Sequence, residues 1–517
     1  MKRGAELQRA LDKGDGELAD NGLRYDLTVP LARYYANNKE KLPTPFKAMQ
    51  LGNVWRADNP QKGRFRQFTQ CDIDILGDDS SLAEIELITA TATMLSKILA
   101  EANLNAFTIH INDRRMLAAA ALTWPVVMLS GALGDMIGTG AAILLSQERG
   151  AGNHATANRA FCCMILAEIV VGALFAALLI PVLPAVLRGL GATPELFGGA
   201  YRYSLILVST SMLPMLAMGC IAVMRNDGQP VLAMWLVVVG LVSNIILDYL
   251  FIFPFGWGLA GAAAATAIAQ SLTVVFGACY FRSGRTALRL TLAGLRPDWR
   301  ILGICFRNGI PTLGAQLSII GMLLMHNYQS LRYAAVAGLA AYSLIAAIES
   351  MGSMLMTGLA AGVQPLVSYF HGARKHRRKL RLGYYGLWTG FGLGVVMMIV
   401  SIAGYRIFPA WFGLDGNVAS LAGRGLLISA PTFLLLGVVR VGSYYFQSSG
   451  RLAAASVLIY GDTCLALPLC LFILPLWLGI DGVWAAMPVS RVLLFAVLAC
   501  YWHRFNWKGK QRELANA

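Results

Sequence analysis

The sequence predicts an all-α polytopic membrane protein with two related helical lobes, preceded by a small α+β segment. Three observations predict this fold class. From Ala118 onward, apolar runs of membrane-spanning length follow one another with short polar breaks. An internal repeat relates the two halves of this apolar part. Residues 1–117, in contrast, have the polar composition of a soluble domain.

Composition supports the division. The chain is 56% apolar and 14% charged, whereas soluble domains contain about a quarter charged residues. Residues 1–117 hold 16 Lys+Arg and 16 Asp+Glu, so the net charge of +15 belongs to the apolar part. Basic loops between apolar runs fit the positive-inside rule better than nucleic-acid binding. The nine cysteines form no CxxC motif, and we expect them to be packing residues without metal or disulfide.

The repeat is read from three stretches that keep one register. Four residues recur 222 positions later in the chain. They are Ser146, Gly150, Ala151 and His154, which recur as Ser368, Gly372, Ala373 and His376. At the same offset Asp227-Gly228 recurs as Ser449-Gly450, and 254–258 recurs as 475–479 with a single-residue slip. Two positions related by this offset are called repeat mates below. Two related apolar halves are typical of secondary transporters, whose site lies between the halves.

Eleven membrane helices are predicted, near 118–147, 159–188, 200–224, 229–253, 258–281, 300–327, 333–369, 382–408, 418–447, 451–476 and 482–504. They give an N-terminal lobe of five helices (118–281), a linker (282–299), a C-terminal lobe of six helices (300–506) and a tail (507–517). Arginine-rich loops place the linker and tail on the cytoplasmic side. The cluster at 374–381 is interpreted as a topology anchor in preference to a lipid or nucleic-acid site.

The five-helix lobe lacks one member. Shifting 300–327 back by the repeat offset places the expected first helix at 78–105, which contains six charged residues and is predicted to be an amphipathic soluble helix. The sequence therefore predicts a fusion, natural or from two wrongly joined genes, whose join near Leu117 replaces the first helix of the first half.

Residues 1–117 resemble bacterial histidyl-tRNA synthetase around the second motif of class II enzymes. The resemblance is carried by RYDLTVPLARYYANN, FKAMQLGNVWRADNPQKGRFRQFTQCDIDILG and IHINDRRML. It implies that Arg56 matches the arginine that holds ATP phosphate and the amino-acid carboxylate. It also implies a histidine pocket lined by Asp26, Thr28, Gln70 and Asp74. The first and third motifs and the anticodon-binding domain are absent, so we expect no enzymatic activity.

The apolar part closely resembles the MATE family (multidrug and toxic compound extrusion) from 118 to about 506. Five elements carry the resemblance: GTGAAILLSQERGAG, AVMRNDGQPVLAM, SNIILDYLFIF, LAAGVQPLVSYFHGA and YYFQSSGR. It implies two six-helix lobes around a central cavity and export of cationic or amphipathic drugs in exchange for H⁺ or Na⁺. We expect a multi-pass monomer in the bacterial inner membrane, in contact with lipids, with no cofactor beyond the coupling ion.

Charges inside apolar helices are the candidate functional residues. Asn244 and Asp248 share one helix face and offer oxygen ligands for Na⁺ or a protonatable group. The resemblance adds Thr266 to this cation site, together with an aspartate from the missing helix, so the site is expected to be incomplete and transport impaired. Asp135 and Glu168 are weaker candidates, for which we favour capping or pairing over coupling.

In the C-terminal half, four charges of both signs are expected to pair with one another across the bundle: Glu349, Arg440, Asp462 and Arg491. Glu349, with Tyr342 and Met351, is the candidate drug-contacting group if it faces the cavity. Two alternative functions remain at this point. One is a lipid or oligosaccharide flippase, which would need several arginines for a pyrophosphate. The other is a histidine-tRNA ligase fragment.

Overall fold

A computed structural model describes residues 23–56, 65–78, 80–101, 114–291 and 294–515. The chain divides into two compact units, Met1–Asn112 and Asp113–Ala517, and each is described by itself. Residues 57–64, and residues 102–113 before the predicted join, lie outside the described residues.

The first unit is a small α+β unit, as predicted. Helix α1 (Thr28–Asn38) and a 3₁₀ turn (Lys39–Lys41) precede two antiparallel strands, β1 (Phe46–Trp55) and β2 (Gln67–Leu76), and then helix α2 (Ser81–Glu101). The strands pair along their full length, from Phe46 with Leu76 to Trp55 with Gln67. Helix α2 packs against β2, and Lys47 of β1 pairs with Glu86 of α2 at 2.5 Å.

The second unit is entirely helical in its described part. Its elements are α3 (Arg114–Gly150), α4 (His154–Gly189), α5 (Pro194–Ser209), α6 (Met212–Asn226), α7 (Pro230–Ile252), α8 (Gly258–Arg282), α9 (Trp299–Gly372), α10 (His376–Ala403), α11 (Ile407–Trp411), α12 (Gly416–Ser429), α13 (Thr432–Ser448), α14 (Leu452–Gly461), a π-helical turn (Asp462–Ala466), α15 (Leu467–Leu478) and α16 (Ile480–Ala515).

Eight described helices are long and apolar enough to span a membrane, and two bent pairs raise the number to ten. The bent pairs are α5 with α6 and α12 with α13, each bent by 49°. Helix α9 has 74 residues, which as one rod would measure about 110 Å, several times the bilayer core. Non-helical backbone at Ala334 and Ala335 breaks it into two arms. With the arms counted separately, the described residues form the predicted eleven spans.

Several helices extend beyond their predicted ends. Helix α10 begins at His376, whereas the apolar run predicts 382, and α16 continues to Ala515, past the predicted 504. Charged residues continue both helices outside the apolar run, because hydropathy marks the membrane and not the end of backbone hydrogen bonding.

The two lobes meet through contacts that obey the internal repeat. A methyl group at Gly150 would overlap the carbonyl oxygen of Tyr369, and one at Gly372 would overlap that of Gln147. Gly150 and Gly372 are repeat mates, as are Gln147 and Tyr369. Each contact is therefore the copy of the other, as expected for an interface related by twofold pseudosymmetry.

A second contact of this kind has no copy. A methyl group at Gly140 of α3 would overlap the carbonyl of Cys305, in the first arm of α9. The repeat mate of Gly140 is Gly362. A Cβ built at Gly362 has no described atom outside its own helix within 4 Å, and the same holds for Gly358. Within the described second unit, the first lobe has no counterpart of the first arm of α9, as predicted.

Candidate functional site

A cavity of about 500 Å³ opens within the second unit. Both arms of α9 line it, together with α3, α13, α14 with the π-helical turn, and α16. Five charged residues reach it, namely Asp135, Glu349, Arg440, Asp462 and Arg491. Three of the five are carboxylates, so the lining carries one more negative charge than positive when all are ionised.

The predicted pairing of charges is present around Arg491. One guanidinium nitrogen contacts Asp462, and the other lies 3.9 Å from Glu349 Oε1. Arg491 is 6% exposed and Glu349 is 5% exposed. Pairing is required because an isolated charge at this depth would be strongly unfavourable. Among the described residues, Glu349 Oε2 and Asp462 Oδ1 have no hydrogen-bond partner, so each carboxylate keeps one free acceptor oxygen.

A π-helical turn positions one of these charges, and a side-chain hydrogen bond holds another. Asp462 begins the π-helical turn between α14 and α15, and such turns widen a helix locally and recur at functional sites. Arg440, on α13, donates to Ser353 Oγ at 3.2 Å and does not pair with a carboxylate in the described residues. Its guanidinium group thus stays available at the cavity wall.

Asp135 brings a carboxylate from α3 to the cavity. Thr139 donates to its Oδ1 at 3.0 Å and Gln316 of α9 donates to its Oδ2 at 3.2 Å. Both carboxylate oxygens of Asp135 therefore accept a hydrogen bond. Since Gln316 belongs to the other half of the repeat, Asp135 also links the two lobes at the cavity.

Glu168 lies elsewhere, in the packed interior of the first lobe. It is 0% exposed, and among the described residues its two carboxyl oxygens have no hydrogen-bond partner. The carboxyl group fills the space left by Gly138 and Gly219, where a methyl at Gly219 would overlap it. Its repeat mate is Gly390, which packs on Gly437 instead. We have no physical account of a carboxyl group at this position.

Tyr342 lines the cavity as expected, within an aromatic stack that the sequence interpretation missed. Its ring stacks on His326 with centroids 5.0 Å apart and an interplanar angle of 5°, and on Trp484 at 6.1 Å and 9°. His326 is fully buried, and its Nδ1 lies 3.0 Å from the carbonyl of Met322. A histidine inside an apolar run was the available signal.

The expectation for Met351 is not met. Met351 is 60% exposed and does not line the cavity. The lining face of the second α9 arm carries Glu349, Ser350, Ser353, Met354 and Thr357. Helical periodicity explains the difference, because a residue two positions after Glu349 points about 200° away from it.

Two of the three residues of the predicted cation site in the first lobe are in contact. Asn244 Nδ2 of α7 donates to Thr266 Oγ1 of α8 at 3.4 Å. Asp248 lies one turn after Asn244, and its Oδ1 has no hydrogen-bond partner among the described residues. None of the three lines the cavity described above. They form a separate polar group between α7 and α8.

In the first unit, the synthetase-like residues lie mainly on the strands. Arg56 donates to Gln70 Oε1 at 3.2 Å and to the carbonyl of Tyr25 at 3.2 Å. Its guanidinium lies over the rings of Phe68 and Tyr25 at 5.1 Å and 5.8 Å.

The other positions that match the histidine pocket serve local structure. Asp74 accepts a hydrogen bond from Gln50 at 3.4 Å. Asp26 accepts from the backbone of Val29 at 3.3 Å at the start of α1, whose first residue is Thr28. The hairpin therefore holds Arg56 and Gln70 together.

Two helical lobes with reciprocal contacts and a charged cavity define a polytopic transporter fold. The family model MatE matches residues 90–250 and 311–472, and the chain belongs to this family. The two matched segments follow one another in the register of the internal repeat. The family model of histidyl-tRNA synthetase matches residues 2–125, so the chain is a fusion.

Individual proteins show the same division. The chain is 24% identical to the multidrug export protein MepA of Staphylococcus saprophyticus over 391 residues, which cover 75% of the chain and 86% of MepA. It is 45% identical to the histidine–tRNA ligase of Leifsonia xyli over 168 residues, and 52% identical to a probable one of Tropheryma whipplei over 117. These matches cover 30% and 23% of the chain, and the chain spans only 38% and 26% of those ligases.

Solved structures agree with the fold. An outward-facing MATE transporter of the MOP superfamily matches with a TM-score of 0.73 at 22% identity, over 76% of the chain and 89% of its own. A MOP superfamily transporter from Pyrococcus furiosus matches with a TM-score of 0.72 at 21% identity, over 75% and 88%. At these identities the likeness establishes the fold alone.

Proposed function

We propose that this MATE family protein exports small cationic or amphipathic organic compounds in exchange for H⁺ or Na⁺. The observation that carries the proposal is the cavity, in which carboxylates outnumber arginines. The MepA relative is a multidrug export protein, which supports the same class of cargo. The apolar part of the lining supplies the adaptable surface that a transporter of many compounds needs.

Exchange follows from competition for the same oxygens. Glu349 and Asp462 each have one acceptor oxygen without a described hydrogen-bond partner, and Arg491 neutralises only one negative charge. An organic cation or a coupling ion can bind to the carboxylate that Arg491 leaves unneutralised, but both cannot bind at once. Binding of one therefore releases the other, which is the thermodynamic requirement for antiport.

The polar group Asn244, Asp248 and Thr266 is proposed as a second cation-coupling site. Its unpartnered Asp248 oxygen supports this role, because carboxylate and amide oxygens suit Na⁺ or a proton. The lobe lacks its first helix, so we propose that this site is incomplete and that coupling is impaired. The protein is proposed to be a monomer in the inner membrane of a bacterium.

Ethidium efflux from cells that express the full chain tests the proposal. Glu349→Gln should slow efflux roughly tenfold, equivalent to one lost charge interaction. Asp248→Asn should weaken its dependence on the proton or sodium gradient. Asp415→Asn is the matched control, because Asp415 is an exposed carboxylate at the start of α12. Equal efflux by the Glu349→Gln and Asp415→Asn proteins would rule out the cavity carboxylate.

The two alternatives have less support. A flippase for pyrophosphate-linked lipids needs excess positive charge in the cavity, but the lining has two arginines against three carboxylates. For the first unit we propose no ligase activity, because Arg56 and Gln70 alone do not position ATP and histidine. Histidine-dependent ATP–pyrophosphate exchange by the purified full chain should equal that of an Arg56→Ala variant; a clear excess would revive the ligase function.

A further inference from the structure

A buried carboxylate lies at the end of the first lobe that carries Arg149. Asp227, whose side chain is 2% exposed, pairs with Arg149 and accepts a hydrogen bond from Tyr280. One residue earlier, Asn226 Oδ1 accepts from Ser146 Oγ at 2.8 Å. All the polar groups of this cluster have partners within the lobe.

The repeat places a different set of residues at the same positions of the second lobe. Serine replaces the carboxylate at Ser449, and His371 replaces Arg149. Ser368 is the mate of Ser146, and Ser448 is the mate of Asn226. Among the described residues, Ser368 Oγ, Ser448 Oγ and His371 Nδ1 have no hydrogen-bond partner, and both serines are fully buried. The second lobe thus keeps the polar cluster and loses its acid.

Among the described residues, no carboxylate pairs with the basic groups around this point. His371 lies close enough to Lys379, His376 and Arg451 to interact with them electrostatically, and Lys379 lies close enough to Arg451 to do the same. The sequence contains no Asp or Glu from 350 to 414 or from 416 to 461. Among the described residues, the side chains of Lys379 and Arg451 form no ion pair or hydrogen bond. Like charges held together without an acid favour an anion between them.

The backbone and aromatic contacts hold the two long cations in place. Lys379 Nζ lies 5.7 Å from the centre of the Tyr445 ring, and the Arg451 guanidinium lies 4.1 Å from that of Phe505. His371 Nε2 is 3.7 Å from the position of a Cβ on Gly450, so its ring faces the turn that precedes α14. Helices α10 and α14 both begin here without a side-chain cap, and helix N-termini add partial positive charge.

We propose that the cluster of His371, Lys379 and Arg451 binds a phosphate-bearing anion, in the place that the Asp227 carboxylate occupies in the first lobe. The phosphate belongs either to the headgroup of an anionic lipid or to a free phosphate ion. The site lies at the arginine-rich end of the lobe, so a bound anion would stabilise the junction of α9, α10 and α14. The anion site is separate from the central cavity, so the proposal does not depend on which cargo binds there.

The test measures the thermal unfolding midpoint of the purified, delipidated full chain in detergent. Dioleoylphosphatidylglycerol in mixed micelles is compared with dioleoylphosphatidylcholine, and sodium phosphate is compared with sodium chloride at equal ionic strength. For the wild-type chain we expect an upward shift with one or both phosphate anions. A shift with phosphatidylglycerol alone identifies a lipid, and a shift with sodium phosphate identifies the free ion.

Three variants connect the shift to the cluster. The double variant Lys379→Gln with Arg451→Gln should raise the half-saturating anion concentration by roughly tenfold or more, the effect of losing charge-assisted hydrogen bonds. The matched control, Arg374→Gln with Lys375→Gln, removes the same charge from exposed positions of the turn between α9 and α10 and should respond like wild type. Ser449→Asp restores the acid of the first lobe, so it should raise the midpoint without anion and abolish the shift.

Three results would overturn the proposal. The first is a wild-type midpoint that neither anion changes. The second is an equal response of the Lys379/Arg451 double variant and its control. The third is a Ser449→Asp protein that responds like wild type. The Ser449→Asp variant keeps the test decisive if the double variant does not fold.

Discussion

Replacing Arg491 with methionine should destabilise the second unit more than any other loss of a surface or cavity arginine. The change leaves Glu349 and Asp462 near one another without their shared counter-charge. The side chains of Arg491 and Glu349 are each 7% exposed, and that of Asp462 is 14% exposed. Removing one member of a buried ion pair typically costs about 3–5 kcal/mol, because the remaining charge stays desolvated. We expect a loss of this size in the free energy of unfolding.

The matched control is Arg424→Met. Arg424 also contacts a carboxylate, that of Asp481, but its side chain is 64% exposed. Exposed ion pairs contribute about 0–1 kcal/mol because water and salt screen them. Unfolding of both variants in detergent micelles, followed by denaturant titration, measures the difference.

A triple variant separates lost charge from lost packing. In Arg491→Met with Glu349→Gln and Asp462→Asn, no buried charge is left unpaired, so most of the stability should return. Equal losses for Arg491→Met and Arg424→Met, or a triple variant no more stable than Arg491→Met, would refute the assignment of a buried ion cluster.

Three further outcomes follow from packing and hydrogen bonds. Gly372→Ala should lower the free energy of unfolding by about 1–3 kcal/mol in thermal unfolding, because its methyl would overlap the Gln147 carbonyl. The control Gly189→Ala, in open space, should change it by less than about 1 kcal/mol in the same assay. Gln447→Leu should cost about 1–3 kcal/mol in the same assay, since Gln447 donates to the Asn308 carbonyl and Thr312 Oγ1 at 2.9 Å each. Asp227→Asn should lower the free energy of unfolding by about 1.5–3 kcal/mol by weakening the contacts of this side chain with Arg149 and Tyr280. The control is Ser283→Ala, a change at an exposed loop position. A smaller loss of stability for Asp227→Asn than for Ser283→Ala would contradict the buried pair.

The order and number of spans could be predicted from the sequence, because hydropathy reports directly on what the bilayer requires. The repeat relates Gly150 to Gly372 in the sequence, but their reciprocal contacts follow only from how the two lobes pack. The bends between α5 and α6 and between α12 and α13 could not be predicted. Both bends fall within segments that are apolar throughout. The helix breaks at Ser209–Ser211 and at Ser429–Thr432, but these short stretches do not lower the mean hydropathy enough to divide either segment into two.

The cavity was predicted only in part. The intramembrane charges could be recognised individually, since each is exceptional in an apolar run. Mutual pairing of the four charges was predicted, but which charge contacts which was not, because the contacts of Arg491 of α16 with carboxylates of α9 and of the π-helical turn depend on helix packing. Met351 and Met354 look equivalent in the sequence, and only the rotation of the second α9 arm decides which one faces the cavity. His326 was missed because a lone histidine carries no spacing pattern.

The central claim is that the first lobe lacks the helix that corresponds to the first arm of α9. A lipid-soluble maleimide tests it on the full chain in membranes. A cysteine introduced at Gly362 should react rapidly, because no described helix of the second unit covers that position, whereas native Cys305, 1% exposed and packed on Gly140, should be protected. Protection of the Gly362→Cys thiol equal to that of Cys305 would contradict the account.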